Sequence, residues 1–238
     1  MAATRLPGKP LLKINNLSIV SHVFKRAEEA NIGEVVVATE DKEIFTDVLK
    51  NGGKAILTNN RHKTGTDRIF EAYKKLDIKN IDYILNLQGD EPDINKDDII
   101  NLNNCMINQD AELGTLAAEI QDDKMLNNKN IVKVITDKKL VENNFPKALN
   151  FTRDNLSVNS QNIYHHIGIY SYKTSILEKF VSLDQTNNEK KNKLEQLRAL
   201  DNNLKINVAL AKSSPIGVDT EEDYLAIKKI MEYKIKDE

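Results

Sequence analysis

The stretch Glu34-Val-Val-Val-Ala-Thr39 is a short apolar run between polar neighbours, the pattern of a parallel strand buried on both faces. Asp41 to Lys50 then reads as a helix stopped by Gly52-Gly53, and Lys54-Ala-Ile-Leu57 as the next strand. Strand, helix and strand joined by short links place the chain in the α/β class, with an open, mostly parallel sheet. Just upstream, Ile19 to Ala30 has helical spacing, with Ile19, Val20, Val23, Phe24 and Ala27 on one face.

The composition fits this reading and narrows the function. With 238 residues, 40% of them hydrophobic, there is enough chain for one large domain or one domain with an insertion. The net charge is −2 and no basic run occurs, so no nucleic-acid or membrane partner is expected. Cys105 is the only cysteine, which excludes an intramolecular disulfide and points to a reducing, cytoplasmic setting.

Arg5-Leu-Pro-Gly-Lys-Pro-Leu11, in the first eleven residues Met1 to Leu11, carries two cations around a turn. Gly8 permits close backbone approach of a ligand, and Pro7 and Pro10 stiffen the loop. A stiff loop with free N–H groups, Arg5 and Lys9 suits a polyphosphate; read alone, it is as well explained as a basic turn. Arg61-His-Lys-Thr-Gly-Thr-Asp-Arg68 is a polar loop in which Thr66 reads as the N-cap of a helix from Asp67 to Leu76.

Tyr83 to Leu87 reads as a buried strand running into Gln88-Gly89-Asp90-Glu91-Pro92. Ligands of open α/β sheets bind beyond the carboxyl ends of the strands, and an acid there, opposite a polyphosphate loop, suits Mg²⁺. In Tyr164-His-His-Ile-Gly-Ile-Tyr-Ser-Tyr172, alternation puts His166, Gly168, Tyr170 and Tyr172 on one strand face. Such a face can bond a polyhydroxylated ligand or be half-buried core. Glu189 to Leu200 reads as one helix with a Leu194, Leu197, Leu200 stripe. Asp219 reads as the cap of a helix running to about Tyr233, in a box-like Asp219-Thr-Glu-Glu222.

Together these motifs resemble, from Ala3 to Asp223, the sugar nucleotidyltransferases, and among them the 3-deoxy-manno-octulosonate cytidylyltransferase (CMP-Kdo synthetase) family. The resemblance implies a Rossmann-like nucleotidyltransferase sheet with an inserted antiparallel subdomain for acceptor binding and homodimer formation. It implies a nucleotide-binding part over 1–110, an acceptor and dimerisation part over about 111–210, and a C-terminal helix, 211–238, that packs back. It implies CTP and Kdo as substrates, giving CMP-Kdo and pyrophosphate for lipopolysaccharide. By the same resemblance Arg5, Gly8, Lys9, Thr64, Gly65, Thr66, Arg68 and Gln88 line the nucleotide site, and Asp90 and Asp219 hold Mg²⁺. Lys9, Asp90 and Asp219 form the catalytic set. Arg153, His166, Tyr170, Glu195 and Gln196 face the sugar acid, Arg153 being suited to a carboxylate by its bidentate geometry.

Two features depart from the family pattern. Thr152-Arg153 is followed by Asp-Asn-Leu-Ser-Val, within a polar stretch from Asp154 to Asn162 that reads as a flexible loop; the family often has Ile-Pro here. Family members also begin with an apolar strand ending in Pro-Ala-Arg just before the first loop, which implies a natural start upstream of Met1. The alternatives are a cytidylyltransferase for 8-amino-Kdo or a sialic acid, or an inactive nucleotide-binding protein. Leu194-Glu-Gln-Leu-Arg198 argues against sialic acid.

Overall fold

The computed structural model describes residues 5–155 and 161–234. Expectations touching 1–4, 156–160 and 235–238 lie outside the described residues. In chain order, β1 (Lys13–Ile14) and β2 (Leu17–Ser18) form a tight antiparallel hairpin. Its turn residues Asn15 and Asn16 sit at φ 49 and 66, a region Asn tolerates. Then come α1 (Ile19–Glu29), β3 (Val37–Thr39), α2 (Lys42–Lys50), β4 (Ala55–Leu57) and α3 (Gly65–Leu76). They are followed by β5 (Tyr83–Asn86), α4 (Lys96–Asn108), β6 (Leu113–Ala118), α5 (Asp123–Asn127), β7 (Lys133–Thr136) and β8 (Ala148–Thr152). The chain continues with β9 (Ile163–Lys173), α6 (Thr174–Ser182), α7 (Asn187–Asn192), α8 (Gln196–Asp201), β10 (Ile206–Leu210) and α9 (Glu221–Lys234).

The contacts divide the chain into two compact units. The first holds Met1–Ile78, Leu87–Ile99 and Pro215–Glu238; the second holds Lys79–Asn86 and Ile100–Ser214. In the first unit β3 and β4 pair in parallel around α2, as the strand-helix-strand pattern requires. Asp41 caps α2 by accepting from the N–H groups of Glu43 and Ile44. Helix α1 presents its expected apolar face to two clusters. Ile19 packs with Ile14, Val218, Ile227 and Met231, and Val20 and Phe24 pack with Ile44 and Val48. Each such side chain contributes about 1.5–3 kcal/mol when fully buried. A glycine is required at 53, because a Cβ there would come within 2.8 Å of Val48 Cγ1 and 3.0 Å of Phe24 Cε1.

The second unit is built on a sheet of order β10-β6-β9-β7-β8, with β5 also paired to β9. β10 and β6 are parallel, while β5, β6 and β7 each run antiparallel to β9, and β7 to β8. The α/β class therefore holds, with parallel ladders beside the expected antiparallel section, in which β7 pairs with β8 and β9. β6 is buried along its whole length.

The polar stretch from Gln121 to Asn130 contains α5, where Asp122 Oδ1 accepts from Met125 N–H. Two local expectations need correction. Helix α3 starts at Gly65 and its N-cap is Thr64, whose Oγ1 accepts from Asp67 N–H at 3.2 Å. Thr66 is instead buried in the first turn. Finally, Glu189 to Leu200 is not one helix: Lys193 lies at φ 53 and separates α7 from α8.

Gly114 in β6 tests the packing. A Cβ there would lie 2.5 Å from Met106 Sδ and 2.7 Å from Phe145 Cζ. Gly114→Ala should cost about 1–3 kcal/mol by overpacking, seen as a lower melting temperature by circular dichroism; an unchanged value would mean the two side chains move aside freely.

Candidate active site

In the first unit the N-terminal loop closes on itself before it meets any other element. Gly8 adopts φ 74, ψ 8, and Lys9–Leu11 follow as a short 3₁₀ turn with Pro10 inside it. Leu6 and Gly8 carbonyls accept from the N–H groups of Lys9 and Leu11. The positive φ explains why glycine stands at this position. The turn aims Lys9 inward, leaving its side chain 14% exposed.

Lys9 Nζ donates to Asp90 Oδ2 at 2.7 Å and to Asp219 Oδ1 at 3.0 Å, residues 81 and 210 positions away. Arg5 Nη2 donates to the other Asp219 oxygen, Oδ2, at 2.9 Å. The two acidic turns are also joined by backbone: Val218 N–H donates to the Asp90 carbonyl at 2.9 Å. The carboxylates are thus brought together by main chain and by the ammonium between them. Burial alone would raise the Asp219 carboxyl, but Lys9 and Arg5 outweigh it and hold it below the usual carboxylate range. Burial would likewise lower Lys9, yet Asp90 and Asp219 hold its ammonium above the ordinary lysine value.

Asp219 is not the helix cap expected from the sequence. The box is shifted by one residue. Thr220 Oγ1 accepts from Asp223 N–H, and Asp223 Oδ2 accepts from the N–H groups of Asp219 and Thr220. Asp219 therefore turns its carboxylate to the cations.

Thr64, Gly65, Thr66 and Arg68 lie at the start of α3 in the same unit. A Cβ on Gly65 would meet nothing within 4 Å, so the backbone there is open to a ligand. Arg68 pairs with Glu40 and donates to Thr58 Oγ1 at 2.7 Å, which braces α3 against the ends of β3 and β4. Gln88 is exposed on its turn.

Glu91 escaped the sequence reading. Its Oε2 is buried with no hydrogen-bond partner among the described residues. Burial pushes this carboxyl up to about 8, and the charge of Asp90 adds to the shift.

In the second unit the bulge between Thr115 and Leu116 leaves the expected face of β9 intact. His166 lies 5.5 Å from Tyr170, and Tyr170 6.1 Å from Tyr172, centroid to centroid, with the rings tilted. Burial holds the His166 imidazole down at about 3, so it is neutral at physiological pH. Thr115 Oγ1 donates to the Ile169 carbonyl at 2.6 Å and lies 3.1 Å from His166 Nε2. With the single hydroxyl proton spent, Nε2 carries the ring proton and Nδ1 is an acceptor. Tyr170 is raised well above the ordinary tyrosine value, mainly by burial, and stays a neutral phenol.

Glu195 and Gln196 sit at the break between α7 and α8. The break is held by a buried pair that no sequence spacing announces. Arg198 donates to Glu189 Oε2 and Oε1 at 2.9 and 2.7 Å, and its guanidinium lies 4.7 Å from the Phe180 ring. Removing one partner of such a pair costs about 3–5 kcal/mol. Arg153 is exposed after β8, with Nη1 donating to the Asn130 carbonyl at 2.8 Å.

Donors suited to a hard divalent cation are present. Two carboxylates meet where a cationic group already sits, and Mg²⁺ is commonly held by one or two carboxylates together with substrate phosphates. Among the described residues no group of three His, Cys, Asp or Glu gathers for a metal held by protein alone. No helix among them is long and apolar enough to cross a membrane.

The sequence model of the cytidylyltransferase family matches residues 1–206. A 3-deoxy-manno-octulosonate cytidylyltransferase of Nitrobacter hamburgensis is 43% identical over 97% of this chain and 89% of its own length. One from Rhodopseudomonas palustris is 43% identical over 94% of this chain and 91% of its own. A solved CMP:2-keto-3-deoxy-manno-octonic acid synthetase in complex with CTP superposes with a TM-score of 0.87 at 32% identity, covering 97% of this chain and 94% of that one.

The Glu91 carboxyl yields a pH test. Its unfolded value is about 4.3 and its folded value about 8, so the folded state binds more protons in between. Stability then falls as pH rises through that window. In chelator, Glu91→Gln should flatten the decline in melting temperature between about pH 5 and pH 8. An equal decline in both proteins would show that Glu91 ionises normally.

Proposed function

Because the chain belongs to the 3-deoxy-manno-octulosonate cytidylyltransferase family of cytidylyltransferases, we propose a division of labour between its two units in transferring CMP from CTP to Kdo. The products are CMP-Kdo and pyrophosphate. The observation that carries this reading is the meeting of Arg5, Lys9, Asp90 and Asp219 in the first unit.

In the reaction the anomeric hydroxyl of the sugar acid forms a bond to the α-phosphorus of CTP while the bond to the pyrophosphate oxygen breaks. The hydroxyl proton leaves to solvent or base. Lys9 and Arg5 sit where negative charge on the triphosphate can be neutralised, Lys9 from a half-buried, preorganised position. The open backbone at Gly65 and the N-terminal turn of α3 offer donors and acceptors to the nucleotide. Asp90 and Asp219 would hold Mg²⁺, whose bound form polarises a phosphoryl oxygen and lowers the pKa of a coordinated hydroxyl.

The second unit supplies the acceptor residues. Arg153 offers a guanidinium for the carboxylate, His166 an acceptor nitrogen, and Tyr170 a neutral hydroxyl. Glu195, which also pairs with Arg198, and the buried Gln196 are assigned to sugar hydroxyls. The protein acts as a homodimer in the cytoplasm in this reading, in keeping with its lone thiol, Cys105.

Pyrophosphate release from CTP is the direct test. Release should require Mg²⁺ and Kdo together and stop in excess chelator. Asp90→Asn, Asp219→Asn and Lys9→Met should each lower kcat by about 10²–10³-fold, the scale of removing one preorganised charge contact. Release with no acceptor, or undiminished turnover in the Asp variants, would overturn this reading.

A further inference from the structure

Lys133 opens β7 and is wholly buried, at 0% exposure. A methionine would fill much the same space without the cost of desolvating an ammonium. Lys133 Nζ donates to two carbonyls, those of Asn128 at 3.0 Å and Arg153 at 3.2 Å. Arg153 reciprocates on the same loop: its Nη1 donates to the carbonyls of Asn130 at 2.8 Å and Lys129 at 3.4 Å. Three successive carbonyls, 128 to 130, are therefore taken up by two cations. The loop itself is tight, since Asn128 accepts from Asn130 N–H through Oδ1 and from Ile131 N–H through its carbonyl. Ladder pairing fixes the other side, with Lys133 opposite Thr152 on β8 and His165 on β9.

We propose that Lys133 is a positioning residue for Arg153, clasping its main chain and the 128–130 loop so that the remaining guanidinium N–H groups point as one donor edge at the carboxylate of the acceptor acid. This rests on the reading that Arg153 takes that carboxylate. The geometry accounts for an ammonium where packing needs none. One guanidinium nitrogen is committed to the loop, while Nε and Nη2 make no hydrogen bond among the described residues. Arg153 sits where regular pairing of β8 has ended, so its main chain is otherwise held there by few ladder bonds. The loss of the Lys133 clasp loosens the arginine without touching the nucleotide residues of the first unit.

Steady-state kinetics with Kdo and CTP test this in Lys133→Met, Arg153→Gln and the double variant. Lys133→Met should raise the KM for Kdo about tenfold, a usual scale for uncoupling a contacting pair, with kcat and the KM for CTP within twofold. In the Arg153→Gln background the same substitution should add nothing. An unchanged KM for Kdo, a rise that persists without Arg153, or an equal loss in every parameter overturns the proposal. If Lys133→Met does not fold, Lys133→Gln decides in the same cycle, because its neutral amide reaches fewer carbonyls. If Arg153→Gln itself leaves the KM for Kdo unchanged, it is the carboxylate reading of Arg153 that has failed. If Arg153→Gln raises it and neither Lys133 variant does, only the clasp has.

Discussion

One ammonium between two carboxylates organises the first unit. Lys9 is drawn from a terminal loop, Asp90 from a turn after a strand, and Asp219 from the turn before the last helix. Each of these charges would cost free energy to half-bury alone. Together they satisfy one another, and the Val218 to Asp90 backbone bond keeps the acids adjacent even without the lysine. The apolar cluster of Ile14, Ile19, Val218, Ile227 and Met231 ties the last helix to the N-terminal segment. Core packing and charge pairing therefore hold the same segments in place.

The second unit solves a different problem, presenting polar groups from a well-packed sheet. It does so by neutrality. His166 is kept uncharged and Tyr170 protonated by burial, and both are seated in an aromatic row from Phe151 to Phe180. Arg153 after β8 and Glu195 at the helix break stand at its margins, while the buried Lys133 and Arg198 are each paired, with carbonyls and with Glu189. A neutral, ring-lined face with charges at its margins suits an acceptor that is mostly hydroxyls with one carboxylate.

Much of this was legible because the chemistry lies in contiguous motifs. The strand-helix-strand of Val37 to Leu57, the apolar face of α1 and the His166–Tyr170 face all follow from period and sequence spacing. The misplaced features are those decided by geometry across the chain or by a single residue of register. Thr64 rather than Thr66, and Thr220 rather than Asp219, cap their helices because each motif offers two hydroxyl or carboxyl side chains within three positions. The break at Lys193 depends on Arg198 reaching Glu189, a pairing no local pattern encodes. The burial of Glu91 and Lys133 comes from tertiary packing that no local pattern announces.

The shifted box at the start of α9 has one further consequence. Thr220 and Asp223 carry the mechanical duty of beginning the helix, while Asp219 carries only electrostatic duty toward Lys9 and Arg5. Two acidic positions four residues apart in one motif, Asp219 and Asp223, thus have separate duties. A substitution at 219 would therefore remove the charge pairing with Lys9 and Arg5 while leaving the helix start at Thr220 and Asp223 in place.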